Sequence, residues 1–237
     1  MTAFHVALAL LGWSSPAALP RCVGLPAQGA CDCADVPPWT ATEVADPAHP
    51  PLQADRALLA SPDDRSRLAA ARTAGHRRDS AAVPALLRAL NDRSCDVAAS
   101  AAWALQEIRD ARAAAPLRAA LVGGGCRLRA AAAEALSRFP SPGTEAALLA
   151  AIADPDPRVR EPAARGLGRL GAGGGVELLI HALDDSSKAV RYAAATALGD
   201  LRARDAVNPL RRALSDGDKS VRWAAHEALA RIPGAGQ

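Results

Sequence analysis

Val190-Arg-Tyr-Ala-Ala-Ala-Thr-Ala-Leu-Gly199 is the stretch on which the fold turns. Within it Val190, Ala193, Ala194, Ala197 and Leu198 recur at steps of three and four residues, which gathers them on one face of a helix. One constant step, that from Val190 to Val221, also carries the valine back to Val159, Leu128 and Val97, and the leucine to Leu105, Leu136, Leu167 and Leu229. Two more apolar columns keep that step. One is Ile108, Phe139, Leu170, Leu201 and Ile232; the other is Leu59, Leu90, Leu121, Ile152, Leu183 and Leu214. A fixed period of this length is the mark of a repeat array.

Six units follow: 49–79, 80–110, 111–141, 142–172, 173–203 and 204–234. The first is degenerate, with Ser66 in the valine column and Ala74 in the leucine column, as suits a terminal cap. Each unit predicts two antiparallel helices. In the fifth, Val176, Leu179, Ile180 and Leu183 form the apolar face of a helix A, and Val190 opens a helix B. Between the two helices one column holds Asp63, Ser94, Gly125, Asp156, Ser187 and Asp218, all good N-cap types. Pro157 then takes the first helical position, where its missing N–H is no loss. Pro162, inside helix B of the fourth unit, is expected to kink that helix or delay its start.

Composition agrees. Of 237 residues 60 are alanine and only seven are aromatic, so the chain is rich in helix formers and poor in bulky core. Half the residues are apolar, which excludes a disordered chain, and the absence of a long unbroken apolar run excludes a polytopic membrane protein. Residues 1–50 carry a net charge of −3, which leaves +6 on the remainder. That is a milder excess than a dedicated nucleic-acid binder shows. Small residues on helix B let neighbouring helices approach, and a lone hairpin cannot bury its own apolar face. The predicted fold is therefore an all-α solenoid.

Asp154-Pro-Asp-Pro-Arg-Val-Arg160 and the Val190–Gly199 stretch resemble the short bacterial HEAT-like repeats of the phycobilisome-lyase type, over roughly residues 50–234. The resemblance implies an armadillo-like helical architecture. It does not single out a function, because such arrays serve as scaffolds, regulators, lyase subunits and, in some lineages, enzymes.

One arginine column comprises Arg67, Arg129, Arg160, Arg191 and Arg222, with Ala98 in the second unit, and an aspartate column comprises Asp92, Asp154, Asp185 and Asp216. An arginine ladder for phosphates is one reading. The favoured reading, which the resemblance also implies, is an Asp–Arg ladder tying consecutive turns. By helical phase Arg72, Trp103, Glu134, Glu161, Arg165, Tyr192, Thr196, Trp223, His226 and Glu227 line a concave groove. Aromatic anchors with mixed charge are what a protein-binding surface uses. For Trp103 the favoured reading is cover for the small residues of a neighbouring unit.

Deoxyhypusine hydroxylase, a HEAT-repeat enzyme, binds iron through His-Glu pairs that directly follow the Val-Arg position. Here Tyr192-Ala193 and Trp223-Ala224 stand at that position, and His226-Glu227 falls three residues late. No catalytic residue, cofactor or metal site is therefore assigned. Gly123-Gly-Gly125 and Gly173-Gly-Gly175 read as turns between helices, since phosphate-cradling loops follow a strand. Cys95 and Cys126, equivalent in adjacent units, are expected to stand too far apart to bridge. Cys22, Cys31 and Cys33 match no common zinc spacing.

Residues 1–48 read as an apolar leader and a Pro/Ala-rich, largely disordered linker ahead of a solenoid over 49–237. Phe4 to Trp13 could serve as the core of a secretory signal with Ala27-Gln-Gly29 as its cleavage site, but the first twenty residues hold no Lys or Arg. Export to the cell envelope is narrowly favoured over the cytoplasm. The expected function is non-catalytic binding of a protein partner, with no specific nucleic acid and no membrane span beyond that signal. Two alternatives stay open: a subunit of a phycobilin-type lyase, and a nucleic-acid-binding HEAT protein.

Overall fold

A computed structural model of the chain describes residues 52–234, and the expectations for the leader and linker lie outside them. Among the described residues twelve α-helices follow one another: α1 Leu52–Ala57, α2 Asp64–His76, α3 Val83–Ala89, α4 Cys95–Ile108, α5 Ala114–Gly123, α6 Cys126–Leu136, α7 Thr144–Ala151, α8 Pro157–Leu170, α9 Val176–Ala182, α10 Lys188–Asp200, α11 Val207–Ala213 and α12 Lys219–Arg231. No strand occurs among the described residues. Each odd-numbered helix packs on the even-numbered helix after it, and each even-numbered helix packs on the next even-numbered one. The odd helices touch one another far less, which splays them on the outer radius and leaves the even helices on the inner.

A single apolar interior runs between the two layers, with Leu86, Leu117, Leu148, Leu179 and Leu210 from the outer helices meeting Leu105, Leu136, Leu167 and Leu198 from the inner ones. All nine are fully buried. No hairpin could close this interior by itself, because each inner helix also packs along the inner helix of the next hairpin.

The six expected cap positions are the six N-caps of the inner helices. Their chemistry divides. The carboxylates of Asp63, Asp156 and Asp218 accept main-chain N–H groups from their own first turns, whereas Ser94 and Ser187 make no such side-chain bond. At the serines the main chain is held from behind: Asp92 accepts the N–H of Ser94 and Asp185 that of Ser187, each at 2.8 Å. α8 starts at Pro157 and runs unbroken to Leu170 with Pro162 buried inside it, so its start is not delayed.

Those aspartates belong to a ladder. Arg67, Arg129, Arg160 and Arg191 each present Nε and Nη2 to both oxygens of the aspartate 25 residues later, at 2.7 to 3.0 Å. Nη1 meanwhile donates to carbonyls of the arginine's own turn, as with Arg160 to Asp154 at 2.8 Å and Pro155 at 3.0 Å. Each guanidinium thus ties its own turn to the following one and satisfies carbonyls no helix would reach. One rung is missing, and both ends are missing together. Ala98 stands in the arginine column, and Gly123 stands where its aspartate would be. Arg127 and Asp96 pair across that junction instead.

Inner helices approach most closely at small residues. A Cβ added to Gly199 would lie 2.7 Å from the Cα of Ala228, and one on Gly168 would lie 2.7 Å from the Cα of Ala197. Glycine is needed there for proximity, since the helical backbone itself would accept any residue.

Two expectations follow. Arg160→Ala should cost about 2–3 kcal/mol in chemical denaturation, because it strips a shielded carboxylate of its fork, whereas Arg112→Ala, which breaks the exposed Arg112–Asp110 pair, should stay within about 0.5 kcal/mol. Burial would raise the Asp92 and Asp185 carboxyls, but the Arg67 and Arg160 forks and the Ser94 and Ser187 N–H groups hold both below the ordinary 3.8; the Arg191 fork does the same for Asp216. Depressed folded values make this stabilisation complete above about pH 4, with loss as pH falls through the folded values, so acid should lower the melting temperature. Gly199→Ala should destabilise by up to about 2 kcal/mol net, overpacking of about 1–3 set against a helix-propensity gain of about 1, while Gly173→Ala, with open space around it, should be neutral.

Candidate partner-binding groove

The inner helices present successive turns to the concave side. On the turn nearer their N-termini stand Glu161, Tyr192 and Trp223, and four residues on stand Arg72, Trp103, Glu134, Arg165, Thr196 and Glu227. The first described feature of the face is apolar. Tyr192 and Trp223 are 36% and 57% exposed, and their rings lie nearly parallel, with centroids 6.5 Å apart and planes at 11°. Equivalent positions on adjacent helices put them side by side. They line a concavity of about 680 Å³ with Glu161, Lys188, Ala189, Lys219 and Ser220.

Beside this slot lies a charged centre. Arg165 pairs with Glu134 on the preceding inner helix and, at 3.2 Å, with Glu161 one turn earlier on its own. Its Nε is buried without a hydrogen-bond partner. Burial raises the Glu161 carboxyl, Arg165 opposes that, and the Glu134 charge adds to it. Two carboxylates therefore converge on one guanidinium, and the rim of the slot is held by Lys188, which lies 3.2 Å from Asp218.

The remaining expected residues divide. Trp103 sits with Cζ3 2.5 Å from where a Gly75 side chain would begin, and it meets the His76 ring edge-on at 4.9 Å. It covers the first inner crossing and is only partly exposed. Arg72 is half-buried in the same region. The Thr196 hydroxyl donates to the Tyr192 carbonyl at 3.0 Å, so it serves its own helix. Glu227 is half-buried, 3.6 Å from the His226 ring nitrogen.

His226 is a correction. In the five preceding units its position is held by Ala71, Ala102, Ala133, Ala164 and Ala195, all fully buried, and one turn beyond Ala195 lies Gly199 against Ala228. This column faces the next inner helix, not the groove, and His226, with its side chain 74% exposed, stands on the open end of the stack. Helical phase alone mistakes a stacking face for a concave one.

Lys188 and Lys219 escape the sequence reading although they occupy the same column of adjacent units, which is the signal that could have found them. Cys126 is not part of a disulfide, so Cys95 and Cys126 do not bridge each other. Among the described residues no three His, Cys, Asp or Glu side chains converge as a metal site would require, and no helix is long and apolar enough to cross a membrane.

A family model described as HEAT repeats matches residues 56–124, 126–179 and 176–237. No curated protein matches the chain in sequence. Among solved structures, the complex of CpcE and CpcF of phycocyanin lyase from Nostoc sp. PCC7120 is similar at 25% identity, covering 84% of this chain and 82% of that one, with a TM-score of 0.61. A designed armadillo repeat protein in complex with the peptide (KR)4 is similar at 20% identity, covering 76% and 99%, with a TM-score of 0.61. An engineered protein gives 23%, 78% and 97%, with a TM-score of 0.64. The designed and the engineered protein share the fold alone. With the matched segments spanning nearly all the described residues, the chain belongs to the HEAT-repeat family.

Proposed function

We propose that this chain is a non-catalytic scaffold whose concave groove holds an extended segment of a protein partner. The observation that carries the reading is the Tyr192–Trp223 pair. A chain with only seven aromatic residues places two of them, exposed and parallel, in one concavity. Neither ring is needed to close the leucine interior. Large aromatic side chains with few torsions lose little entropy on contact, which makes them effective anchors.

The charged neighbours favour a peptide over a polyphosphate. Four of the arginines that a phosphate ladder would use are already engaged by aspartates. What faces the groove is mixed: Glu134, Glu161 and Arg165 with Lys188 and Lys219 at the rim. A rigid stacked rod presents this surface preformed, so ordering losses fall on the partner alone. The designed armadillo protein with its bound (KR)4 peptide is a stacked-helix rod used in that way.

A subunit of a phycobilin-type lyase is the second reading, and it rests on the likeness to the Nostoc lyase complex. The two readings differ in what the purified chain carries. Panning a displayed peptide library on the full chain should select peptides whose affinity falls by at least about tenfold in Tyr192→Ala and Trp223→Ala, in line with an anchor worth roughly 2 kcal/mol. Selected peptides that bind both variants as tightly as the parent, or a bilin chromophore that co-purifies with the chain, would contradict the scaffold reading.

A further inference from the structure

A second concavity, of about 510 Å³, opens at the C-terminal ends of three successive inner helices and is lined by Arg109, Ser137, Arg138, Pro140, Arg169 and Leu170. It adjoins the groove, because Arg138 and Arg169 follow Glu134 and Arg165 by four residues on the same helix faces. Arg109 enters from the helix before. Guanidinium groups stay charged at any physiological pH, so three of them around one hollow repel each other.

The fold does little to neutralise them. Arg138 reaches Glu134 only at 3.7 Å, and that carboxylate is already paired with Arg165. Arg169 donates to the neutral Ser137 hydroxyl at 3.2 Å, whose own hydrogen goes to the Glu134 carbonyl at 2.7 Å. Arg109 makes no ion pair or side-chain hydrogen bond among the described residues. Its backbone is left-handed, with φ of 60°, a conformation this column repeats at Arg78 (49°), Gly171 (68°) and Arg202 (50°). An arginine thus occupies a position that glycine would fill without strain.

The surroundings narrow the ligand. In the column that carries Arg138 and Arg169, Glu107 stands one unit before and Asp200 one unit after, the latter paired with Arg231. A nucleic-acid strand laid along the inner face would run from the arginines onto carboxylates at both ends. A short run of acidic side chains fits between those limits, and the planar arginine fork matches a carboxylate in two bonds. We propose that this hollow binds the carboxylates of an acidic segment of the protein partner, an inference that rests on the scaffold reading and extends it to a second contact.

Fluorescence anisotropy of the full chain with a labelled octaglutamate peptide tests it. Octaglutamate should bind, more weakly as salt is added, while octalysine should not. Arg138→Gln with Arg169→Gln, which keeps side-chain length and polarity, should weaken octaglutamate at least about tenfold, with helical circular dichroism unchanged. Arg109→Gly, which relieves the backbone and removes one charge, should weaken it too while leaving the melting temperature unchanged or higher. Trp223→Ala should leave octaglutamate binding intact, so a failure of the aromatic groove is read separately. No binding of octaglutamate, equal binding by the Gln pair, tighter binding of a single-stranded oligonucleotide through the same arginines, or loss in Trp223→Ala alone would overturn the proposal.

Discussion

Two helices can approach only as far as the side chains between them allow, and in this chain the inner helices approach until a missing Cβ matters. Gly168 against Ala197 and Gly199 against Ala228 set that distance. Everything else follows from so close a layer. Turns of consecutive units are brought near enough for one arginine to reach a carboxylate 25 residues away while still holding its own turn's carbonyls. The outer helices, splayed, need only supply leucines to the seam beneath them.

The same economy of volume explains how the inner face can be functional. Alanine and glycine pack the inner helices against one another and leucine and valine fill the seam to the outer layer, so the other large side chains of the inner helices are left to the solvent side. Tyr192 and Trp223 stand there over a slot, with Glu161, Glu134 and Arg165 beside it. Trp103, in the column four residues further along, takes the opposite role. It fills the space above Gly75, where the first inner crossing would otherwise be thin. The column of Trp103 thus serves packing in that unit and carries the Glu134–Arg165 pair in the two units after it.

Much of this is legible in the sequence. The valine, leucine and cap columns fix which residues start each inner helix and which face its core, because a constant period without insertions leaves no freedom of register. The Arg–Asp ladder is legible as two columns. What the period cannot say is which neighbour a column faces. Helical phase puts His226 close to Trp223 and so in the groove, yet the five alanines before it are buried against the following helix. Nor does a column show that its gap is matched elsewhere: Ala98 and Gly123 read as unrelated irregularities until the fork that joins their columns is seen. The arginine hollow is invisible for a further reason, since Arg109 comes from a different column than Arg138 and Arg169 and meets them only in three dimensions.

If the array is a line of hairpins coupled to nearest neighbours, damage to one rung should stay local. Native-state hydrogen exchange on Arg160→Ala measures this directly. Amides of α8 and α10, the helices that follow the turns joined by Arg160 and Asp185, should lose protection while those of α2 and α4 keep theirs. An equal loss of protection in all the inner helices would show a single cooperative globule and contradict the account.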